Sequence, residues 1–265
     1  MNEMLKLEIT SAIGVITLNR PESFNAFHDS MIGDLAEMLI GLSSNEEVVG
    51  VVLTGAGRAF CAGADLKWLN GCGMSSGAAL HRLAASYHQA IAEIRRMPKP
   101  VVAAVNGMAA GGGFSMALAC DFRVVAKSAI FRQAYTSNGL SIDGGGTYSL
   151  PRLVGLARAM EIVAFDRPIS AEQALAWGLA TEVVADGRTV KRAVAMVQEI
   201  MKRPLSSFQA SKKLLTDSFH TPFEHQLEKE REFLSWCADQ PNGREGIKAF
   251  VEKRNPVYNR KEPEA

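Results

Sequence analysis

Apolar residues recur along the chain at two periods. Residues 5–9 and 13–19 alternate or run apolar around Ser11, which predicts a β-hairpin closed by Asn19-Arg20-Pro21. After Ser30, a candidate N-cap, the residues Met31, Leu35, Met38, Leu39 and Leu42 fall at helical spacing. Residues 48–54 form an unbroken apolar run before Gly55 and Gly57, the signature of a strand buried on both faces. A loop over 58–65 and a short helix are expected next. The small, polar stretch 71–77 is the candidate mobile segment. Helical period returns over 78–97 and ends at Pro98 and Pro100. Further on, the pattern predicts strands at 101–105, 122–126 and 130–131, with a buried helix at 114–120 between the first two. Residues 139–147 form a glycine-rich loop, and from 149 to about 254 the pattern reads as helices separated at Pro204, Pro222 and Pro241.

Strands alternating with helices over the first two thirds imply an α/β fold of stacked β-β-α units. The remainder reads as a helical appendage, so the expected division is a core over 1–200 and a helical region over 201–265.

Composition narrows the function classes. The chain has 265 residues, 47% of them apolar, enough for a sizeable core. The formal net charge of +1 offers no electrostatic footprint for nucleic acid or an anionic membrane. Cysteines 61, 72, 120 and 237 make no CxxC pair and no metal-ligand spacing with the five histidines. They read as reduced thiols in a cytoplasmic compartment, with no metal site. The first ten residues contain Glu3 and no apolar signal region. Residues 100–120 are uncharged and long enough to span a bilayer, but Pro100, Asn106 and four glycines suit a strand, a loop and a buried helix better.

The candidate chemistry lies in three segments. The first runs Gly57-Arg58-Ala59-Phe60-Cys61-Ala62-Gly63-Ala64-Asp65-Leu66. The second opens on Lys99-Pro100 and passes through Asn106-Gly107 to Gly111-Gly112-Gly113 and Cys120-Asp121. The third joins Gly144-Gly145-Gly146-Thr147 to Pro151-Arg152-Leu153-Val154-Gly155. Fainter matches occur at Asn19-Arg20-Pro21 with Asn25-Ala26, at Ser170-Ala171-Glu172-Gln173-Ala174 and at Arg244-Glu245-Gly246. In this order and spacing the segments resemble the crotonase (enoyl-CoA hydratase/isomerase) superfamily, from about residue 5 to 258. The triplet 111–113 does not fit GxGxxG, so no dinucleotide cofactor is expected.

The resemblance implies the ClpP/crotonase-like spiral of β-β-α units, a helical C-terminal region that packs between subunits, and a homotrimer or a hexamer built as a dimer of trimers. It implies an acyl-CoA substrate, with coenzyme A present only as part of that substrate. The first two segments carry a physical rationale of their own. When a thioester loses an α-proton, charge gathers on the carbonyl oxygen, and two preorganised N–H groups can hold it. By resemblance those donors are the amides of Ala64 and Gly112. Ala62, Ala64, Asp65, Leu66 and Lys67, with Gly111 and Gly112, would line the thioester and pantetheine arm. Asn25 and Ala26 would border the adenine end, and Lys253, Arg254, Arg260 and Lys261 could meet the CoA phosphates. Asp65 has a structural reading too, as the N-cap of the helix through Trp68.

The proton chemistry departs from the hydratases. Where they carry two glutamates, this chain has Ser115 and the Tyr135 of Gln133-Ala134-Tyr135. Asp143 matches an aspartate of the phenylacetyl-CoA-pathway isomerase and 4-chlorobenzoyl-CoA dehalogenase branches. An acid in an apolar stretch is expected to be desolvated, which suits a general base moving a proton between the α- and γ-carbons of an enoyl-CoA. The competing structural reading makes Asp143 the cap of a helix starting at Gly144. His88 and Tyr135 stand where dehalogenases carry a histidine and a tryptophan, and each also reads as an ordinary packed side chain. The alternatives are a hydratase (lyase) with a nonstandard acid and base, an aryl-CoA dehalogenase or thioesterase, and an RNA-binding or catalytically silent crotonase-fold protein.

Overall fold

The computed structural model of the protein describes residues 4–259. Strands β1 (Leu5–Thr10) and β2 (Ile13–Leu18) form the expected hairpin, with Leu5 opposite Leu18 and Thr10 opposite Ile13. Helix α1 (Asp29–Ser44) buries Met31, Ile32, Leu35, Ala36, Leu39 and Leu42. Its N-cap is His28, so Ser30 lies inside the first turn and does not cap.

Three β-β-α units follow. The first is β3 (Gly50–Gly55), β4 (Ala59–Cys61) and the helices α2 (Leu66–Gly71) and α3 (Ser76–Arg96). The second is β5 (Val101–Val105), β6 (Met108–Ala110) and α4 (Gly112–Ala119). The third is β7 (Phe122–Ala126), β8 (Ile130–Arg132) and the helices α5 (Gly146–Val154) and α6 (Leu156–Phe165). In each unit the first strand joins a six-stranded sheet, ordered β1-β2-β3-β5-β7 and closed by a later strand. The second strand joins a four-stranded sheet, β4-β6-β8 and a later strand. From β2 onward the larger sheet is parallel, as right-handed crossovers through helices require. Strands β3 and β5 are buried along their whole length, which is why they read as continuous apolar runs.

The later strands are β9 (Ile169–Ser170), antiparallel to β8, and β10 (Glu182–Val184), parallel to β7, with α7 (Ala171–Ala176) between them. Two sequence expectations are corrected here. The loop over 58–65 contains β4, and the stretch from 149 is not purely helical, because β9 and β10 interrupt it. These strands have two or three residues each, too few for a period of two to register. The candidate mobile stretch is a helix break, where α2 ends at Gly71 and the Ser75 side chain caps α3 by accepting from the Ala78 amide.

Helices α8 (Thr189–Met201), α9 (Leu205–Asp217), α10 (Phe223–Asp239) and α11 (Pro241–Val251) complete the chain. The contacts divide it into two compact units. One runs to Met97 and resumes over Val101–Ala195; the other takes Pro98–Pro100 and the described residues from Met196 on. The division falls inside α8. Among the described residues no helix is long and apolar enough to cross a membrane.

Candidate active site

The site is set by strand register. In the smaller sheet, β4 and β6 are parallel neighbours with Cys61 opposite Ala109. Ala64 and Gly112 each lie three residues beyond that pair, so two successive windings of the spiral deliver them side by side. A β-carbon on Gly63 would lie 2.8 Å from the Gly112 nitrogen.

Both amides are left without a protein acceptor among the described residues, for different reasons. Phe27 forms a parallel bridge opposite Ala64. The Phe27 N–H donates to the Gly63 carbonyl at 2.8 Å, and the Asp65 N–H donates to the Phe27 carbonyl at 2.8 Å. The bridge therefore uses the residues flanking Ala64 and passes over its own N–H. Gly112 is the first residue of α4, where no intrahelical acceptor exists. The turn into α4 depends on glycine twice. Gly111 has φ +52° and ψ −125°, a region side chains avoid. A β-carbon on Gly113 would lie 2.0 Å from the Cys61 carbonyl oxygen, so α4 can start against β4 only if that position is bare.

The first turn is braced by ion pairing and capping. The Asp65 carboxylate accepts from the Lys67 and Trp68 amides and pairs with Arg20 at 3.0 Å. Burial pushes its pKa up, but the Trp68 amide and the Arg20 guanidinium outweigh this and hold it below the usual aspartate value. Asp65 is thus a cap, and Leu66 and Lys67 on α2 are exposed. Ala62 is half-buried in the same turn. The Asn25 side chain is turned onto the backbone. It is 0% exposed, its Oδ1 accepts from the Arg20 amide, and its Nδ2 donates to the Ala56 and Ala59 carbonyls at 2.9 and 2.8 Å. With every polar atom on backbone, its side chain shapes the segment and cannot touch a ligand. The Ala26 carbonyl accepts from the Arg20 guanidinium. Arg254, expected near phosphates, pairs with Glu245 and Glu252. Lys253 is exposed, and Arg260 and Lys261 lie outside the described residues. Cys61, beside the paired amides, is buried, which pushes its thiol up to about 12 and leaves it inert.

Asp143 caps nothing. Helix α5 begins at Gly146 with Gly145 as its N-cap and no side-chain capping bond. The Tyr135 hydroxyl donates to Asp143 Oδ1. Burial, then the Asp143 charge, pushes the Tyr135 pKa well up and keeps the phenol neutral. The other carboxylate oxygen lies 3.7 Å from His88 Nε2. That nitrogen accepts the Gly144 N–H at 3.2 Å. The expected desolvation is not met, because the Asp143 side chain is 35% exposed.

Tyr87 joins the two halves of the site. Its hydroxyl donates to the Gly112 carbonyl, its ring stacks on Phe27 at 4.8 Å, and the phenol packs against Gly144. The sequence offers only that Leu83, Tyr87, Ala90, Ile91 and Ile94 share the buried face of α3. Nothing in it shows which carbonyl the phenol meets. Among the described residues no group of three His, Cys, Asp or Glu could hold a metal.

The alternating two-sheet spiral with its paired strand-to-helix turns defines the class: a crotonase-superfamily enzyme. The pattern of the family described as Enoyl-CoA hydratase/isomerase matches residues 8–261. The chain belongs to the enoyl-CoA hydratase/isomerase family. It is 35% identical to the 1,2-epoxyphenylacetyl-CoA isomerase of Escherichia coli K12, over 98% of this chain and 100% of that one. It is 40% identical to a probable enoyl-CoA hydratase of Rhodobacter capsulatus, over 96% of this chain and 97% of that one. The crystal structure of an enoyl-CoA hydratase from Polaromonas sp. JS666 superposes with a TM-score of 0.91 at 36% identity, covering 96% of this chain and 99% of that one.

Proposed function

We propose that the protein is an acyl-CoA isomerase in which Asp143 carries a proton between the α- and γ-carbons of an enoyl-CoA thioester. The observation that carries this reading is the Asp143 carboxylate, with one oxygen held by the Tyr135 phenol, in a site where Ser115 and Tyr135 replace the two hydratase glutamates. The thioester oxygen would sit between the Ala64 and Gly112 amides. Asp143 takes the α-proton, and the C–H electron pair moves into the Cα–C(O) bond, leaving the charge on that oxygen. The same carboxylic acid returns the proton at the γ-carbon, and the double bond shifts by one carbon. Each amide donor of this kind is worth about 2.7–4 kcal/mol of transition-state stabilisation. The 1,2-epoxyphenylacetyl-CoA isomerase relative supports an isomerisation. The relatives named hydratases favour a second reading, water addition with Asp143 as base. Analysis of the same incubation for a 3-hydroxyacyl product separates the two.

The pantetheine arm would follow Ala62, Ala64, Leu66, Lys67 and Gly111, with Ala26 toward the adenine. No cofactor beyond the CoA moiety enters the scheme. A homotrimer or hexamer fits the bare apolar side chains on the later helices: Phe223, Leu234, Phe250 and Val251 are each at least 70% exposed. Four free cysteines fit a reducing, cytoplasmic compartment.

The test is α-proton exchange into acyl-CoA thioesters in deuterated water. Asp143→Asn should lower exchange about a thousandfold, the scale of a general base, with the Kd for the thioester little changed. Undiminished exchange in that variant removes Asp143 from the mechanism.

A further inference from the structure

Gln133 is 2% exposed, and its two amide atoms have opposite fates. Oε1 accepts from the Tyr135 amide at 3.1 Å and from the Thr136 amide and hydroxyl at 3.4 Å. Two backbone N–H groups on one atom fix which end of the amide is oxygen. Nε2 is then the donor end, and it is buried with no hydrogen-bond partner. A buried donor left unmade is costly, so it calls for an acceptor that the folded chain does not itself supply.

The surroundings say what that acceptor can be. Gln133 lines a small cavity with Phe114, Ser115, Leu118, Tyr135 and Ile142. The wall is apolar except for Gln133, Ser115 and the Tyr135 phenol. The phenol proton is engaged on Asp143. Gln133 Nε2 is the donor that burial leaves without an acceptor. The cavity is partly open and has room for about one water-sized group, so a single acceptor atom enters it, not a length of chain. Tyr135 and Ile142 also flank Asp143, which sets the cavity a few bonds from the carbons the carboxylate would serve.

We propose that this cavity is a subsite for an oxygen atom carried on the acyl group, held by Gln133 Nε2, so that the enzyme prefers acyl-CoA thioesters bearing a hydroxyl, ether, epoxide or carbonyl oxygen near the reacting carbons over their hydrocarbon counterparts. This rests on the reading of Asp143 as the base. A site built to hydrogen-bond a substrate group discriminates against the analogue lacking it, because the donor is then stranded.

The experiment compares α-proton exchange of cyclohexylacetyl-CoA with that of its ring-monooxo analogues, whose carbonyl oxygen accepts but cannot donate. In the wild type at least one oxo analogue should exchange at the thioester α-carbon with a kcat/KM about tenfold above the parent. Gln133→Glu keeps the Oε1 acceptor for the Tyr135 and Thr136 amides and replaces the donor nitrogen by an acceptor. At about pH 8 it should bring that ratio close to one. A wild-type ratio near one for every analogue, as expected of a cavity that holds only water, overturns the subsite, and this arm needs no variant to fold. A high ratio that Gln133→Glu leaves intact overturns the role of Gln133. Asp143→Asn separates the two readings: if it stops exchange with every thioester while the ratios are flat, the base stands and the subsite falls. If it leaves exchange intact, the base itself falls.

Discussion

The Tyr135 phenol fixes one carboxylate oxygen of Asp143. Tyr135→Phe should therefore leave the thioester bound and slow proton exchange about tenfold, on the order of one hydrogen bond to a charged group. Exchange rates measured beside the thioester Kd check this; equal losses in both would assign Tyr135 to binding. Asp143, Tyr135 and His88 could be selected from the sequence by family position, and they do meet in space. Their bonding could not be foreseen. The reading of Asp143 as a helix cap failed, and the Asn25 side chain is spent on backbone groups. The direction of a short polar side chain depends on where its turn ends, and sequence fixes turn ends poorly.

At the level of single elements, α2 exists because it is held at its start. It has six residues, too short to persist alone, and no side chain of it is buried. Its stability comes from Asp65, whose carboxylate caps two amides and pairs with Arg20. Asp65→Ala should cost about 1 kcal/mol or more, read as a lower midpoint in chemical denaturation. The sign with pH follows from the depressed pKa. The contribution is complete above the unfolded aspartate value of about 3.9 and is lost as pH falls through the lower folded value. The gap between wild type and Asp65→Ala should accordingly narrow in acid; a gap that persists below pH 3 points to packing rather than charge. The cap was legible in the sequence because a lone Asp before a helical stretch has few other uses. Strands β4, β6, β9 and β10 were not, because pairing alone defines strands so short.

Across the whole molecule, the hairpin, the long buried strands and the α/β class followed from periodicity, while the interleaving of two sheets did not. Alternate membership of β3, β5 and β7 against β4, β6 and β8 leaves no mark on local composition. Two predictions belong to this scale. Tyr87 and Tyr135 both have pKa values raised first by burial. The neutral phenols thus stabilise the fold fully below the unfolded tyrosine value of about 10, and that stability is lost as pH climbs beyond it toward the folded values. The denaturation midpoint should fall steeply above pH 10, and less steeply in Tyr135→Phe; parallel slopes would dissociate Tyr135 from the effect. Leu234→Asp places a charge on a side chain that is 74% exposed in the single chain. If that surface is an interface between copies, light scattering should report a smaller assembly with helical content unchanged. An unaltered mass would locate the interface elsewhere.

The pairing of Cys61 with Ala109 has a consequence for how such a protein can change. The spacing of the two amides is inherited from the fixed gap of about 4.8 Å between neighbouring strands, a dimension that no side chain chooses. Connections such as 72–75 and 139–142 hang outside that ladder. They can lengthen, shorten or exchange residues while the spacing of the two amides stays as it is. Diversification of the substrate is thereby uncoupled from upkeep of the electrostatic machinery, and one scaffold can try new acyl groups without first losing the old chemistry.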